Sequence, residues 1–421
     1  MEGADAGNFC TWVPGSERSG QEITDQPKKG EYCVKQSQIM TFGFLGMLGI
    51  LTAASILIPE RGFSETENRY LQKKPEFTIE SLLDGSYGTD YEMYLSDQFP
   101  VRNQWIGLKV MAERLAGKKD VNEVYFGKDD YLIEKFDTED LETEELFKNL
   151  ESLKRFTETM ETMLGQNHIR LMLVPGASQI LGEKLPWMAS PYDQAKVNEW
   201  LSDEAGSEFV VPVESALKEH KDEEIYYRTD HHWTTLGAYY GYCAWAESVG
   251  LTPWQKEMFE TEIVSRNFLG TVHSKLNVNW MPDHITLYHP KEPTAYQVYY
   301  DGADTPGEMY QRKALETKDQ YPVFLDGNHG LTRIVNEKLS EGSGEDELEK
   351  RKLLVIKDSF ANSFAPFAAN HFGEVQMIDL RYFNGNVVKW IEEQEITDVL
   401  VLYQIPGFAK ERTVSKLGWQ N

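Results

Sequence analysis

The stretch "KLLVIKDSFANSFAPFAANHFGEVQMID", residues 352–379, decides the fold. "KLLVIKDS" (352–359) reads as a strand ending in a turn, and "FANSFAPFAANHFG" as the helix that follows. "VQMID" (375–379) is the next strand, "VVKWIEEQ" a second helix, and "DVLVLYQ" (398–404) a strand again. Strand, helix, strand, helix, strand implies a parallel sheet with helices on both faces, because parallel neighbours need a crossover connection.

Upstream, "IRLMLVP" (169–175) is a buried-strand run, and "EFVVPV" (208–213) reads as another. "EIYYR" (224–228) is a short β-like run leading into "TDHHW". "TTLGAYYGYCAWAESVG" then reads as a helix that begins on threonine and ends at Gly250. Leu146, Leu150, Leu153, Phe156, Met160 and Met163 recur at helical spacing, so Leu141–Leu164 is an amphipathic helix facing the core. "VYFGKDDYLIE" reads as a hairpin. Residues 90–117 read as helix, interrupted at Pro100 and stopped at Gly117. The acidic run "NEKLSEGSGEDELEKRK" reads as an exposed loop. The chain carries no internal repeat, phosphate-loop pattern, dinucleotide fingerprint or HExxH helix.

At 421 residues, with 41% hydrophobic and 12% aromatic content, the chain has enough apolar material for a main domain and an accessory region. Its formal net charge of −26 argues against a nucleic-acid partner. "IMTFGFLGMLGILTAASILI", Ile39–Ile58, contains no charge and is long enough to cross a bilayer as a helix. A signal peptide usually starts nearer the terminus with a shorter apolar region. Lys28, Lys29 and Lys35 precede the run, while Glu60 and Arg61 follow it, so the expectation is a single-pass anchor with its N-terminus in the cytoplasm. Cys10 and Cys33 precede the anchor and Cys243 stands alone beyond it, so the outer region depends on packing rather than disulfides.

Two polar clusters follow strand-like runs: Asp230-His231-His232-Trp233 and Lys357-Asp358-Ser359-Phe360. In open α/β sheets reactive groups gather at the carboxyl ends of strands. A serine hydroxyl needs a base to take its proton, and a carboxylate that fixes the imidazole's tautomer. An Asp-x-His turn can supply both from one side, Asp230 orienting His232, with Ser359 as nucleophile and helix-end amides behind it as oxyanion donors. Ser363, one helical turn along, is the runner-up. From the residues alone, a polar turn or a zinc site on Asp230, His231 and His232 stays open.

These motifs resemble the DHHW family, which is related to the bacterial alginate O-acetyltransferases and similar to SGNH-type hydrolases in circularly permuted order. "TDHHW…TTLGAYYGY" resembles the family signature, "YLSDQFPVRNQWIGLK" its N-terminal segment, "VYFGKDDYLIE" its hairpin and "LVPGASQILGEKLP" its strand and loop. "FLGTVHSK" (268–275), "YPVFLDGNH" (321–329), the serine block "LLVIKDSFANSFAPFAANHF" and "IDLRYF" (378–383) also match, in the family's order. The resemblance implies a membrane-anchored O-acetyltransferase of a cell-surface polysaccharide, working through an acyl-serine without a cofactor or metal. It implies catalytic roles for Ser359, His232 and Asp230, with a membrane-bound O-acyltransferase as partner and donor source. Gln404 stands where SGNH enzymes carry an oxyanion-hole asparagine, and Arg381, Tyr382 and Trp233 are further substrate-contact candidates. The expected layout is a cytoplasmic tail (1–38), a transmembrane helix (39–58), a stalk (59–89), a helical part (90–165) and an extracellular SGNH-like catalytic domain (166–421). An esterase with the same triad, a non-catalytic exopolysaccharide-binding scaffold and, more distantly, a metal-dependent hydrolase are the alternatives.

Overall fold

The computed structural model describes residues 29–64, 69–340 and 351–418. The first 28 residues of the expected tail lie outside them, and so does most of the acidic loop, residues 341–350. The chain divides into two compact units, Met1–Glu60 with Gln98–Pro100, and Arg61–Asp97 with Val101–Asn421.

The first unit is built on helix α1 (Lys29–Leu57). Its Gln38–Leu57 stretch has a mean hydropathy of 1.9 and 0% of it is buried, so it is apolar and long enough to cross a membrane.

The second unit opens with a two-residue ladder, β1 (Phe63–Ser64) against β2 (Arg69–Tyr70). Helices α2 (Ile79–Leu83), α3 (Ser86–Asp97) and α4 (Arg102–Leu115) follow, with Pro100 between α3 and α4. Gly117 leaves α4 at φ +87°, where a glycine is cheapest. Strands β3 (Asp120–Val121), β4 (Val124–Phe126) and β5 (Leu132–Glu134) form a small antiparallel sheet, the hairpin expected from the sequence. One turn of helix, α5 (Thr138–Leu141), precedes α6 (Glu144–Leu164), where the Thr143 side chain accepts from Leu146 N. The apolar stripe of α6 is buried from Leu146 to Met160.

From there the chain builds the main sheet. In order come β6 (Ile169–Val174), α7 (Ala177–Ile180), α8 (Ala195–Ala205), α9 (Val213–Glu219) and α10 (Thr235–Ser248). Next are β7 (Phe259–Phe268), α11 (Thr271–Ser274), β8 (Asp283–Pro290), β9 (Tyr296–Tyr300), β10 (Leu331–Asn336) and α12 (Glu337–Ser340). The last are β11 (Lys352–Lys357), α13 (Ala361–Ala368), β12 (Glu374–Ile378), α14 (Val387–Glu393), β13 (Asp398–Gln404) and α15 (Ile405–Phe408). The six-stranded sheet runs β6-β13-β11-β12-β10-β9. Its pairs from β6 to β12 are parallel, while β10 and β9 extend it antiparallel. The fold is therefore mixed α/β with a mainly parallel sheet.

Alternate residues of the central strands feed two cores, as the period of two requires. Leu353, Val355, Leu400 and Leu402 pack with Phe364 and Phe367 of α13 and Tyr242 and Trp245 of α10. Leu354, Ile356, Val399 and Val401 pack with Leu150, Leu153 and Phe156 of α6.

Two expected strands are absent. In "EFVVPV", Ser207–Phe209 is a 3-10 turn, Val210 makes a lone bridge to Leu171, and Val213 already begins α9. Pro212 has no N–H to give a ladder. In "EIYYR", Tyr226 bridges only to Trp233, so the segment is one arm of a tight turn. Strands β9 and β10 and the β7–β8 pair, which joins antiparallel through a bulged register, were not foreseen.

Candidate active site

Because "EIYYR" is no sheet strand, the Asp230 turn reaches the sheet by other ties. The Tyr226 hydroxyl donates to Pro175 O, just past the end of β6 (2.6 Å), and Leu132 N of β5 donates to Arg228 O (2.8 Å). Buried Asp283, at the start of β8, accepts from Arg228 N (2.9 Å), Thr229 N (2.8 Å) and the Thr229 hydroxyl (2.6 Å). Trp233 drives the turn inward: it is 0% exposed, and its indole N–H donates to Phe360 O (3.1 Å) and Ser363 Oγ (3.0 Å). Helix α10 makes room for it with two glycines. A Cβ at Gly237 would lie 2.2 Å from Ile225 O, and one at Gly241 would lie 2.7 Å from the Trp233 ring. The "LGAYYG" spacing is thus a packing code, and Trp233 has no face left to stack on a sugar.

On this turn, buried Asp230 accepts four hydrogen bonds. They come from His232 N (3.0 Å), His232 Nδ1 (2.5 Å), Thr271 N (2.8 Å) and the Thr271 hydroxyl (3.0 Å). Gly270 is what lets the "FLGT" segment come so close, since a Cβ there would lie 2.2 Å from Asp230 Cβ. With Nδ1–H directed at the carboxylate, His232 presents Nε2 as an acceptor, and Ser359 Oγ lies 2.7 Å from it. The structure therefore brings Ser359, His232 and Asp230 into one hydrogen-bonded line, from segments 127 positions apart. Tyr321 covers the other side of the imidazole. The rings stack with centroids 3.7 Å apart and planes 11° apart, and the Tyr321 hydroxyl contacts Ser363 Oγ (3.2 Å) and Ser359 O (3.4 Å).

Burial alone would raise the Asp230 carboxyl. His231 and His232 beside it, with the donors from His232 and Thr271, outweigh burial and hold it well below the usual carboxylate range. Burial and the neighbouring His231 push His232 down to about 4, against the pull of Asp230. A neutral imidazole facing a hydroxyl is the form that can take a proton.

Ser359 sits in the turn after β11, and α13 starts only at Ala361. Asp358 braces this turn by accepting from Phe360 N (2.9 Å) and Gln404 N (2.7 Å). Buried Lys357 donates to Asn328 Oδ1 (2.8 Å) and Asn362 Oδ1 (2.7 Å), pinning the "FLDGNH" loop against it; burial lowers its amine to about 8. The helix-end amides expected as oxyanion donors are already engaged. Phe360 N bonds to Asp358 Oδ1, Ala361 N to Asp358 O and Asn362 N to Ser359 O. Ser363 is buried and bonded to Trp233, so it packs.

Gln404, at the end of β13, has a single long side-chain contact, Nε2 to His231 O (3.4 Å). With Gly176, Ala177, Ser178, Asp230 and His231 it lines a narrow cleft. Arg381 is held by both oxygens of Asp379 (2.9 and 2.6 Å), and its guanidinium lies 5.5 Å from the ring of Tyr382, which is 57% exposed. Asp230, His231 and His232 do place donor atoms within 4.8 Å of one another. The Asp230 oxygens are nonetheless saturated, and His231 Nδ1 is bonded to the Thr271 hydroxyl (2.7 Å), so a cation would have to displace these partners.

Residues 203–378 match the family described as DHHW protein, which bears out the sequence resemblance. A DHHW family protein from Eubacterium siraeum is similar in structure, with 23% identity over 70% of this chain and 95% of its own and a TM-score of 0.58. Bacillus cereus PatB1 is similar at 19% identity, 68% and 97% coverage and a TM-score of 0.55; its sulfonyl adduct gives 18%, 68%, 97% and 0.53. At these identities the likeness is one of fold. No curated protein sequence matches the chain.

Proposed function

We propose, from the DHHW match and the geometry of the site, that the chain is a membrane-anchored O-acetyltransferase of a cell-surface polysaccharide. The observation that carries this reading is the Ser359–His232–Asp230 line of hydrogen bonds. His232 Nε2 takes the Ser359 proton as Oγ attacks the acyl carbonyl, and returns it to the leaving group. Asp230 steadies the imidazolium in between. In the second half, His232 takes a proton from a sugar hydroxyl, which attacks the acyl-serine and frees Ser359. In this reading the Gln404 carboxamide, which lines a narrow cleft with Asp230 and His231, donates to the oxyanion in place of the engaged helix-end amides.

The polysaccharide acceptor comes from the resemblance to the alginate O-acetyltransferases. The same resemblance reads the order Asp230, His232, Ser359 as a permuted SGNH domain over 166–421, after the stalk and the helical part. In this reading the lysines before the apolar helix keep its N-terminus in the cytoplasm and the domain outside the cell, and a membrane-bound O-acyltransferase, implied by the resemblance, supplies the acyl group. Water in place of the sugar would make the enzyme an esterase, since both share the acyl-serine.

The test treats the full chain with a sulfonyl fluoride or fluorophosphonate and maps the adduct by mass. Label at Ser359, abolished in Ser359→Ala and His232→Ala, supports the reading; an unlabelled Ser359 in folded protein would leave a binding scaffold. Acetyl transfer from 4-nitrophenyl acetate to an oligosaccharide, against release as acetate, separates transferase from esterase. Protease added to intact cells should digest the chain beyond Glu60 and spare the tail.

A further inference from the structure

Most of the second unit keeps its large apolar side chains inside, but the segment from Phe77 to Leu115 does not. Leu83 is 82% exposed, Ile79 73%, Leu108 60% and Leu115 85%. Among the described residues between 116 and 418, only a handful of large hydrophobics is exposed to a comparable degree.

Helix α4 shows that this is patterned. One stripe, with Ile106, Gly107 and Val110, docks on the small core of Val121, Val124 and Leu132. Gly107 sits so close that a Cβ would lie 2.4 Å from Asn277 O. Trp105, Leu108, Ala112 and Leu115 form a second stripe, at spacings of three, four and three. At about 100° per residue it lies roughly half a turn from the docked one, and every member of it is exposed. A helix apolar on two opposite faces needs a cover on both.

Three observations identify the second cover. The first is position in the chain. Leu71 N donates to Gly62 O (3.1 Å), so the free path from the end of α1 to α2 is shortened to two brief stretches, Leu57–Gly62 and Leu71–Ile79. Together they span at most roughly 45 Å when fully extended. The second is composition. Tyr87, Tyr91 and Tyr94 ladder along α3 with Phe77 against Tyr87, and Trp105 joins the exposed stripe of α4. Amphipathic aromatic rings concentrate at headgroup level. The third is charge. The α2–α3 segment carries Glu80, Asp84, Asp90, Glu92 and Asp97 without a base, but α4 and the turn after it carry Arg102, Lys109, Arg114, Lys118 and Lys119 against the single carboxylate Glu113, so the basic flank is that of α4. Such a flank suits anionic lipid headgroups.

We infer that α2, α3 and the outer face of α4 lie on the surface of the same bilayer that α1 crosses, as an interfacial platform for the domain. This rests on reading Gln38–Leu57 as a membrane span.

The test uses the full chain with Cys10→Ser, Cys33→Ser and Cys243→Ser, reconstituted in phosphatidylcholine–phosphatidylglycerol vesicles. Single spin labels are placed at Leu83→Cys, Leu108→Cys and Leu115→Cys. Met258→Cys, 41% exposed, is the aqueous control, and Leu48→Cys reports on the span. Folding is checked by circular dichroism. At 83, 108 and 115, accessibility to dissolved oxygen relative to a water-soluble nickel chelate should exceed that at 258 several-fold and stay below that at 48. Values equal to 258, with 48 deep in lipid, overturn the inference and leave the span intact. An aqueous signal at 48 overturns the span reading itself. Labels shielded from both reagents mean that a second copy or another protein covers the face, and the inference fails.

Discussion

The ring of Tyr321 lies flat on the imidazole of His232, with centroids 3.7 Å and planes 11° apart. A phenol face so placed favours the cation formed when His232 takes a proton, an effect worth about 0.5–2 kcal/mol. Tyr321→Leu should lower kcat/KM by about 3–30-fold, while Tyr321→Phe, which keeps the face, should keep most of it. Equal losses in both variants would place the effect in the hydroxyl contacts to Ser363 and Ser359 instead.

The two adjacent histidines have different partners. His232 faces Ser359, whereas His231 Nδ1 is bonded to the Thr271 hydroxyl (2.7 Å). His232→Ala should lower ester turnover on the order of a thousandfold or more, and His231→Ala should leave a substantial fraction. Steady-state kinetics on 4-nitrophenyl acetate reads both. Parallel losses, restored by an added divalent ion, would favour a metal site.

The pH profile follows from burial. His232 is held down to about 4, below its ordinary 6.5, so it stays neutral and competent across that interval. The acid limb of kcat/KM should fall towards pH 4 rather than near 6.5. For stability, a depressed folded value means that the unfolded chain binds the proton first. This contribution is present above about 6.5 and is lost as pH falls towards 4. A limb centred near 6.5 would count against a buried, neutral base.

Gly270→Ala introduces a methyl 2.2 Å from Asp230 Cβ. The Asp230 Cγ and Oδ2 lie almost as close, at 2.6 and 2.3 Å, so the carboxylate must shift from its place beside His232. The expected result is a large fall in kcat, of the order seen when the histidine loses its orienting partner, about 10⁴ at the limit. KM should change little, and thermal melting should show a fold that persists.

Trp233→Phe removes the donor to Phe360 O and Ser363 Oγ while keeping most of the apolar bulk. Phe360 O and Ser363 Oγ keep weaker partners, the Ser363 and Tyr321 hydroxyls, so the loss is that of an ordinary buried hydrogen bond, about 0.5–1.5 kcal/mol. Denaturant midpoints should fall accordingly, whereas sugar affinity should stay unchanged because the ring is sealed from solvent.

Local patterns made the centre of the fold legible. The runs at 169–175, 352–357 and 398–404 are apolar in their middles, with polar residues mostly at their ends, because both sheet faces are covered there, and helix α6 announces itself by its stripe. Asp230, His232 and Ser359 could be singled out because their residue types cluster beside turns. Tyr321, Gly270 and Asp283 could not. They reach the site through tertiary paths, and nothing local marks a tyrosine that will stack or a glycine that will meet an aspartate. "EFVVPV" misled because a β-branched run looks the same whether or not a sheet has a place for it. Strand β9 at the sheet edge and its inner neighbour β10, which mix Tyr, Gln, Thr and Arg with their apolar residues, carry too weak an alternation to stand out.

Strand β13 lies between β6 and β11, pairing Val399 with Ile169 and Leu400 with Val355. His168 and Asp398, which touch at the start of that pairing, are 230 positions apart. During synthesis β6 is complete long before its neighbour exists, and all six of its residues are destined for the interior. The early chain must therefore carry a sticky, unpaired segment until the final stretch emerges, a topology associated with slow folding and exposure to aggregation. The same delay has a useful side. Under the proposed function, Ser359 meets His232 only once nearly the whole polypeptide has been made, so no half-built chain would carry a reactive hydroxyl.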